Sequence, residues 1–355
     1  MSESKVESDL EDVKETTNNV EIIDLEKYKA LDKELKKKFG DSYIGVTEKK
    51  QLEKINYIPV ECLSINRMLG GGLPEGRIIE VFGPASVGKS NFAMHVVASF
   101  QKQGKVCFWL DAERAWSDEY ALMCGVDIDT LAKFEPDTGN DCLEAVRIAA
   151  ASGQISLIVV DSIAALVPKD EYDKEVGQTM IGSLARLLSS VLKQIAVLAD
   201  KHNCTVLLLN QERASNIGGY GPKSSTSGGS ALGYYTSVRI DINRTGYIEN
   251  SAGDKLGIAI KAQTVKNKTF TPFKTAEYNI LFPHTENDSI VAGIDIIGNI
   301  LQLAIDLDII IKSGSWLTYK DYKCQGLEKF RLRLIEDDTL YDEIYDLVNQ
   351  QLSSN

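Results

Sequence analysis

The eight residues Gly83-Pro84-Ala85-Ser86-Val87-Gly88-Lys89-Ser90 restrict the fold of this chain more than any other feature. They fit the pattern G-x-x-x-x-G-K-[ST] in full, follow an apolar run at 78–82 and open a helical stretch at 91–103. Strand, glycine-rich turn, then helix is the context that separates a phosphate-binding loop from an unrelated glycine-rich turn. Glycines let successive backbone N–H groups turn inward around a β-phosphate, and the helix N-terminus adds its positive dipole. Lys89 is then placed to reach the β- and γ-phosphates of ATP, and the Ser90 hydroxyl to ligate Mg²⁺.

A phosphate loop of this kind needs a sheet to hold it. Further apolar runs at 106–110, 157–160, 206–209, 238–242 and 259–265 alternate with helical segments, notably 180–200. Continuous apolar strands with helices between them imply a mainly parallel, twisted sheet covered on both faces, an α/β fold. After about residue 285 the texture changes: 294–311 reads as a buried helix and 342–352 as a final amphipathic one. That is a small α+β domain at 286–355 beside a core at 59–285. Strand ends near the loop carry polar groups. The run 157–160 ends in Asp161-Ser162, where a carboxylate can hold Mg²⁺ through water. The run 106–110 ends in Asp111-Ala112-Glu113, and either acid can polarise a water attacking the γ-phosphate. The run 206–209 ends in Asn210-Gln211, where an amide can sense the γ-phosphate.

Composition narrows the class. Of 355 residues, 43% are hydrophobic and 25% charged, as in ordinary globular proteins. No apolar run approaches the roughly 18–20 residues that span a bilayer, and the polar start is not a secretory signal. The six cysteines are scattered and the three histidines, His95, His202 and His284, form no ligand cluster, so a cytoplasmic chain with reduced thiols is expected. Residues 1–20 carry six acids against two lysines and read as a disordered tail. Apolar residues at three- and four-residue spacing between Ile22 and Phe39 predict a helix, which Gly40 is placed to stop. The net charge of −12 argues against nucleic acid as a partner, although a local basic groove can coexist with acidic tails.

The stretch 212–230 is 19 residues rich in Gly and Ser, with one aromatic, Tyr220, and the basic Arg213 and Lys223. A loop that long in a compact domain is functional or disordered. Flexible backbone, positive charge and an aromatic suit single-stranded nucleic acid. Here the chain resembles the bacterial RecA recombinases closely. The likeness runs through LPEGRIIEVFGPASVGKS, DAE, VVDSIAALVPKDE, MIGSLAR, NQER, STSGG, ALGYYTSVRIDI, VKNKTFTPFKTAEYNI and GSWLTYKD, in the family's order over roughly residues 25–350.

The resemblance implies a RecA-like ATPase core, an N-terminal helix–strand arm at 21–58 that docks on a neighbouring subunit, and a helical filament on single-stranded DNA that pairs with homologous duplex DNA. It implies ATP and Mg²⁺ as cofactors, and admits an SOS-type repressor as a further partner. It decides between the two acids: Glu113 matches the water-activating glutamate, and Gln211 the γ-phosphate sensor. Lys266 and Lys268 match lysines that reach into the neighbour's ATP, and Tyr120 and Phe282 match positions that pack on adenine. Gly182, Ser183, Arg186, Ser189 and Lys193 match phosphate contacts of the first DNA loop and its helix. Arg213, Gly228 and Gly229 match contacts of the second. Lys312, Lys320, Lys323, Lys329, Arg331 and Arg333 form a candidate duplex-docking patch, screened by the closing acids at 336–338 and 342–343. Departures are Ile181 for Met, Glu212 beside Arg213, Gly233 for Lys in some members, and the acidic N-terminal extension.

Overall fold

A computed structural model of the chain describes residues 29–40, 43, 55–175, 182–214, 224–250, 252–283 and 292–354. The contacts divide it into two units, Met1–Lys54 and Ile55–Asn355. In the first, helix α1 (Lys29–Phe39) carries no buried residue and three lysines, Lys36, Lys37 and Lys38, in its last turn. That placement complements the negative end of the helix dipole. The rest of the expected 22–39 helix, the acidic tail and the expected strand at 42–46, apart from Tyr43, lie outside the described residues.

The second unit opens on strands β1 (Tyr57–Ile58) and β2 (Leu73–Pro74), with helix α2 (Leu63–Leu69) between them in the chain, and is built on one large sheet. Strand β3 (Ile78–Gly83) lies between β7 (Thr205–Ala214) and β9 (Val238–Glu249), parallel to both. Parallel pairing continues through β6 (Leu157–Asp161) and β4 (Cys107–Asp111) to β5 (Ala132–Phe134) at the edge. On the other side the sheet turns antiparallel through β10 (Lys255–Asn267) and β11 (Thr275–Leu281) to the two-residue β12 (Gly293–Ile294). The inner strands are buried on both faces, which is why they read as unbroken apolar runs. Two apolar cores result, one on each face. Phe92, Phe100, Trp109 and Met68 belong to one, and Leu143, Leu188, Leu192 and Ile195 to the other.

Helix α4 (Asp118–Met123) carries Tyr120, helices α5 (Gly139–Ser152) and α6 (Lys169–Tyr172) follow it, and two further helices carry most of the other candidate site residues. Helix α3 (Lys89–Lys102) leaves the phosphate loop and is almost wholly buried. Helix α7 (Ser183–His202) packs its apolar face on the second core, through Leu188, Leu192, Ile195 and Ala199. The C-terminal portion has its own core of Ile300, Leu317, Phe330, Leu334, Ile344 and Val348, joined by Leu63. The expected helix at 294–311 is shorter, α9 (Ile296–Asp306), because the chain turns at Asp308 (φ 56°) into a three-stranded antiparallel sheet, β13 to β15, at Ile311–Ser313, Trp316–Tyr319 and Tyr322–Gln325. Helices α10 (Leu327–Glu336) and α11 (Asp338–Ser354) close it. None of the described helices is long and apolar enough to cross a membrane.

Candidate functional site

Strand register sets the site. Gly83 pairs with Gln211 across β3 and β7, and Asp111 with Asp161 across β4 and β6. The C-terminal ends of four parallel strands therefore present the phosphate loop, the Gln211 amide and both acids along one edge. That is where ligands bind on open α/β sheets.

The loop is held in shape by its own lysine. Buried Lys89 donates from Nζ to the carbonyl oxygens of Gly83 (3.2 Å) and Pro84 (2.7 Å). Burial lowers its pKa, and the charges of Glu113 and Asp161 oppose that. Gly88 caps α3 with φ 84°, a backbone setting that favours glycine. A Cβ there would meet Ile280 Cδ1 at 2.3 Å. Pro84, Ala85 and Ser86 are exposed, Val87 is buried, and Ser90 opens the helix half-buried.

Asp161 is 8% exposed. Burial pushes its pKa up to about 6; the Ser90 hydroxyl and Lys89 pull it down, while Glu113 and Asp111 push it further up. Ser90 and Asp161 supply the hard oxygen donors that Mg²⁺ takes, and a triphosphate-bound Mg²⁺ needs only one or two protein groups. The donor set fits. No group of three or more His, Cys, Asp or Glu side chains able to hold a metal ion occurs among the described residues.

Glu113 and Gln211 meet directly: Gln211 Nε2 donates to Glu113 Oε1 at 3.1 Å. The same oxygen accepts from the Ser162 hydroxyl, and the Ala112 and Glu113 N–H groups donate to the Asp161 carbonyl (2.7 and 3.1 Å). Asp111 Oδ2 accepts from the Trp116 N–H (2.9 Å). Tyr120, its hydroxyl held by Asn91 Nδ2 (2.9 Å), and Phe282 are half-buried against the same core face. Lys266 is turned onto its own chain. Its Nζ donates to the carbonyls of Gly233 (2.7 Å), Tyr234 (3.3 Å) and Thr236 (2.6 Å), at the end of helix α8 (Ser230–Tyr235), while Lys268 is exposed.

The candidate DNA residues converge on α7. Gly182 (φ 76°) caps it, and Arg186, Ser189 and Lys193 follow on one exposed stripe at helical spacing. Ser183 departs from that stripe, being buried with its hydroxyl on Glu171 Oε2 (2.7 Å). The second loop returns against the same helix. Gly228 (φ 92°) approaches so closely that a Cβ would sit 2.4 Å from Leu188 Cδ1, and one on Gly229 would sit 3.0 Å from the Ala185 Cβ. The expected structureless stretch 212–230 has an ordered base instead. Strand β8 (Ser224–Thr226) pairs antiparallel with Glu212, Arg213 and Ala214, because backbone hydrogen bonds there need no apolar alternation. Residues 176–181, with Ile181, and 215–223, with Tyr220 and Lys223, lie outside the described residues.

Two features escape sequence reasoning. Trp116 stacks edge-on against Trp109 (4.9 Å), with Lys133 over its ring and its Nε1 on Asp118 (2.6 Å), so it braces the turn between Glu113 and Tyr120. The other is Glu80, fully buried within β3 and ion-paired to Arg239. The signal for it is an acid inside an apolar parallel strand, which demands a partner.

A phosphate loop between parallel strands, with acids and an amide on the neighbouring strand ends, defines a P-loop nucleoside triphosphatase. Comparison with known proteins narrows this. The family model for the RecA N-terminal domain matches residues 27–286, and that for the RecA C-terminal domain residues 298–353. Protein RecA of Helicobacter pylori (strain ATCC 700392 / 26695) is 41% identical over 339 residues, covering 94% of this chain and 95% of its own. Protein RecA of Campylobacter hominis is 40% identical over 339 residues, covering 94% of each. Among solved structures, the RadB recombinase aligns with a TM-score of 0.47 at 21% identity, covering 61% of this chain and 93% of its own. The chain belongs to the RecA family. It is an ATP-hydrolysing, DNA-dependent recombinase that forms filaments on single-stranded DNA and catalyses homologous pairing and strand exchange.

Proposed function

We propose that the strand-end row is the hydrolytic centre that drives this recombinase, and that α7 with the second loop is its primary DNA groove. The observation that carries the reading is the Gln211–Glu113 hydrogen bond at the mouth of the phosphate loop. It puts a carboxylate able to orient a water beside an amide able to feel the γ-phosphate, on the strand that runs directly into the second loop. The backbone at 83–90 and Lys89 would hold the phosphates. Glu113 would take the proton of the attacking water, and Tyr120 and Phe282 would flank the adenine. Mg²⁺, held by Ser90 and through water by Asp161, would neutralise charge on the phosphates.

Lys266 and Lys268 would complete the site of an adjacent subunit. Lys266 has to leave the carbonyls at the end of α8 to do so, so subunit docking and the end of α8 are linked. The N-terminal arm would dock on the neighbour, a heterologous contact that propagates into a filament rather than closing. DNA phosphates would lie along Gly182, Arg186, Ser189 and Lys193, with the N–H groups at Gly228 and Gly229 facing them and Ser183 bracing the helix start on Glu171. Homologous duplex DNA would dock on the C-terminal patch; Arg331 is committed to Asp295 (2.6 Å), Arg333 to Asp337 (2.6 Å) and Lys320 to Glu343, leaving Lys312, Lys323 and Lys329 as its centre. We place the protein in the cytoplasm, with an SOS-type repressor as a further partner of the filament.

Electron microscopy of the purified protein on circular single-stranded DNA tests this reading, coupled to strand exchange with the homologous linear duplex. ATP-dependent filaments and joint molecules are expected. Filaments that form equally without nucleotide would overturn it.

A further inference from the structure

Glu80 sits in the middle of β3 with no exposed surface. An ionised carboxylate there is costly to bury, and an ion pair in such a place is often matched or bettered by apolar residues. Stability alone does not account for it. Its partners show what it joins. Arg239, its register neighbour on β9, donates from Nε to Glu80 Oε2 (2.6 Å) and lies over the Phe82 ring (4.8 Å). Arg239 Nη2 continues to the Thr226 hydroxyl (3.3 Å), on the returning stem of the second loop.

Asn210, register partner of Phe82, makes the other half of the connection. Its side-chain amide donates to Glu80 Oε1 (2.9 Å) and to the Ser227 carbonyl (2.9 Å), while its oxygen accepts from the Gln211 N–H (2.9 Å). Both amide protons and the amide oxygen are engaged, and each bond reaches a different part: the Glu80 anchor, the loop stem and the sensor backbone. Gln211 must release Glu113 to turn toward a phosphate, and that movement acts on the Asn210 oxygen. The Ser227 hydroxyl, on the same stem, is buried without a partner among the described residues. A buried orphan hydroxyl is unfavourable, so a second arrangement of the stem that satisfies it has something to gain.

We propose that Glu80 is a positioning residue that, through Asn210 and Arg239, links the γ-phosphate sensor to the returning stem of the second DNA loop. The proposal rests on the reading of Gln211 as that sensor. Glu80 touches neither nucleotide nor DNA, and its effect is on the coupling between them.

The experiment compares single-stranded DNA affinity with a non-hydrolysable ATP analogue and with ADP. It is run on the wild type, on Glu80→Gln, which keeps shape and loses charge, and on Thr226→Val, which removes only the acceptor of Arg239 at a half-buried position. The expected result is a ratio of DNA affinity with the analogue to that with ADP that falls at least about tenfold in both variants, while affinity for the analogue itself, measured without DNA, is unchanged. A merely structural role would lower the melting temperature or weaken DNA binding in both nucleotide states and leave the ratio alone. An unaltered ratio overturns the linkage. Should Glu80→Gln fail to fold, Thr226→Val decides by the same criterion. A wild-type ratio of one sinks the sensor reading itself, and the linkage with it.

Discussion

His95 makes a direct test of the packing that holds the phosphate helix. It lies on α3, is 7% exposed, and its Nε2 accepts from the Ile294 N–H at 2.8 Å, tying the helix to β12. Burial lowers its pKa from 6.5 to about 4; Glu61 pulls it up and Lys102 down. Those two are themselves ion-paired, so burial governs. With the folded pKa depressed, the stability that depends on neutral His95 is whole above pH 6.5 and is lost as pH falls toward 4. At about pH 5 the unfolded imidazole is nearly all protonated and the folded one nearly all neutral, which amounts to about 2 kcal/mol lost relative to about pH 7.5. The limiting loss below both values is about 3 kcal/mol. Urea titrations followed by tryptophan fluorescence at both pH values, for the wild type and His95→Gln, measure it. Glutamine keeps an acceptor for Ile294 and cannot titrate. The wild type should lose about 2 kcal/mol more than the variant on acidification; equal losses would refute the assignment of a buried, neutral imidazole.

Gly83→Ala would place a Cβ 2.1 Å from the Ile242 carbonyl oxygen, a backbone atom that cannot swing away. Loss of ATP-analogue binding by at least about tenfold, read by fluorescence titration, is expected from displacement of the loop by such a clash. A shared site predicts complementation. Glu113→Gln and Lys266→Ala should each be nearly inactive in DNA-dependent ATP hydrolysis. An equal mixture should recover about one quarter of wild-type turnover, the fraction of interfaces that draw both intact residues from different subunits. A mixture no better than the average of the two variants would show that each chain hydrolyses ATP alone.

The core of the fold is legible because its physics is local. Runs such as Leu157-Ile158-Val159-Val160 are apolar without alternation since both faces of that strand are covered, and the phosphate loop says which strand leads the sheet. The antiparallel extension is less legible. Only 238–242 and 259–265 read as strands, whereas β9 and β10 run on to Glu249 and back to Lys255 through half-exposed polar residues and three register shifts. The short strands β13 to β15 are largely exposed and leave little apolar pattern, so the helix before them reads as continuing into Ile311. At the site, the strand-end acids and amide are visible in sequence because each follows an apolar run. The glycine approach of 228–229 to α7, the capping of the α8 carbonyls by Lys266 and the Glu80–Asn210–Arg239 network depend on contacts between residues roughly 30 to 160 positions apart, which no local pattern reveals.

The most direct test of the account is ATP hydrolysis by the purified protein with and without single-stranded DNA, beside Glu113→Gln. Strong stimulation by DNA that vanishes in the variant, with ATP still bound, is the predicted result. Turnover indifferent to DNA, or undiminished in Glu113→Gln, would contradict a DNA-coupled hydrolytic centre at the Glu113–Gln211 pair.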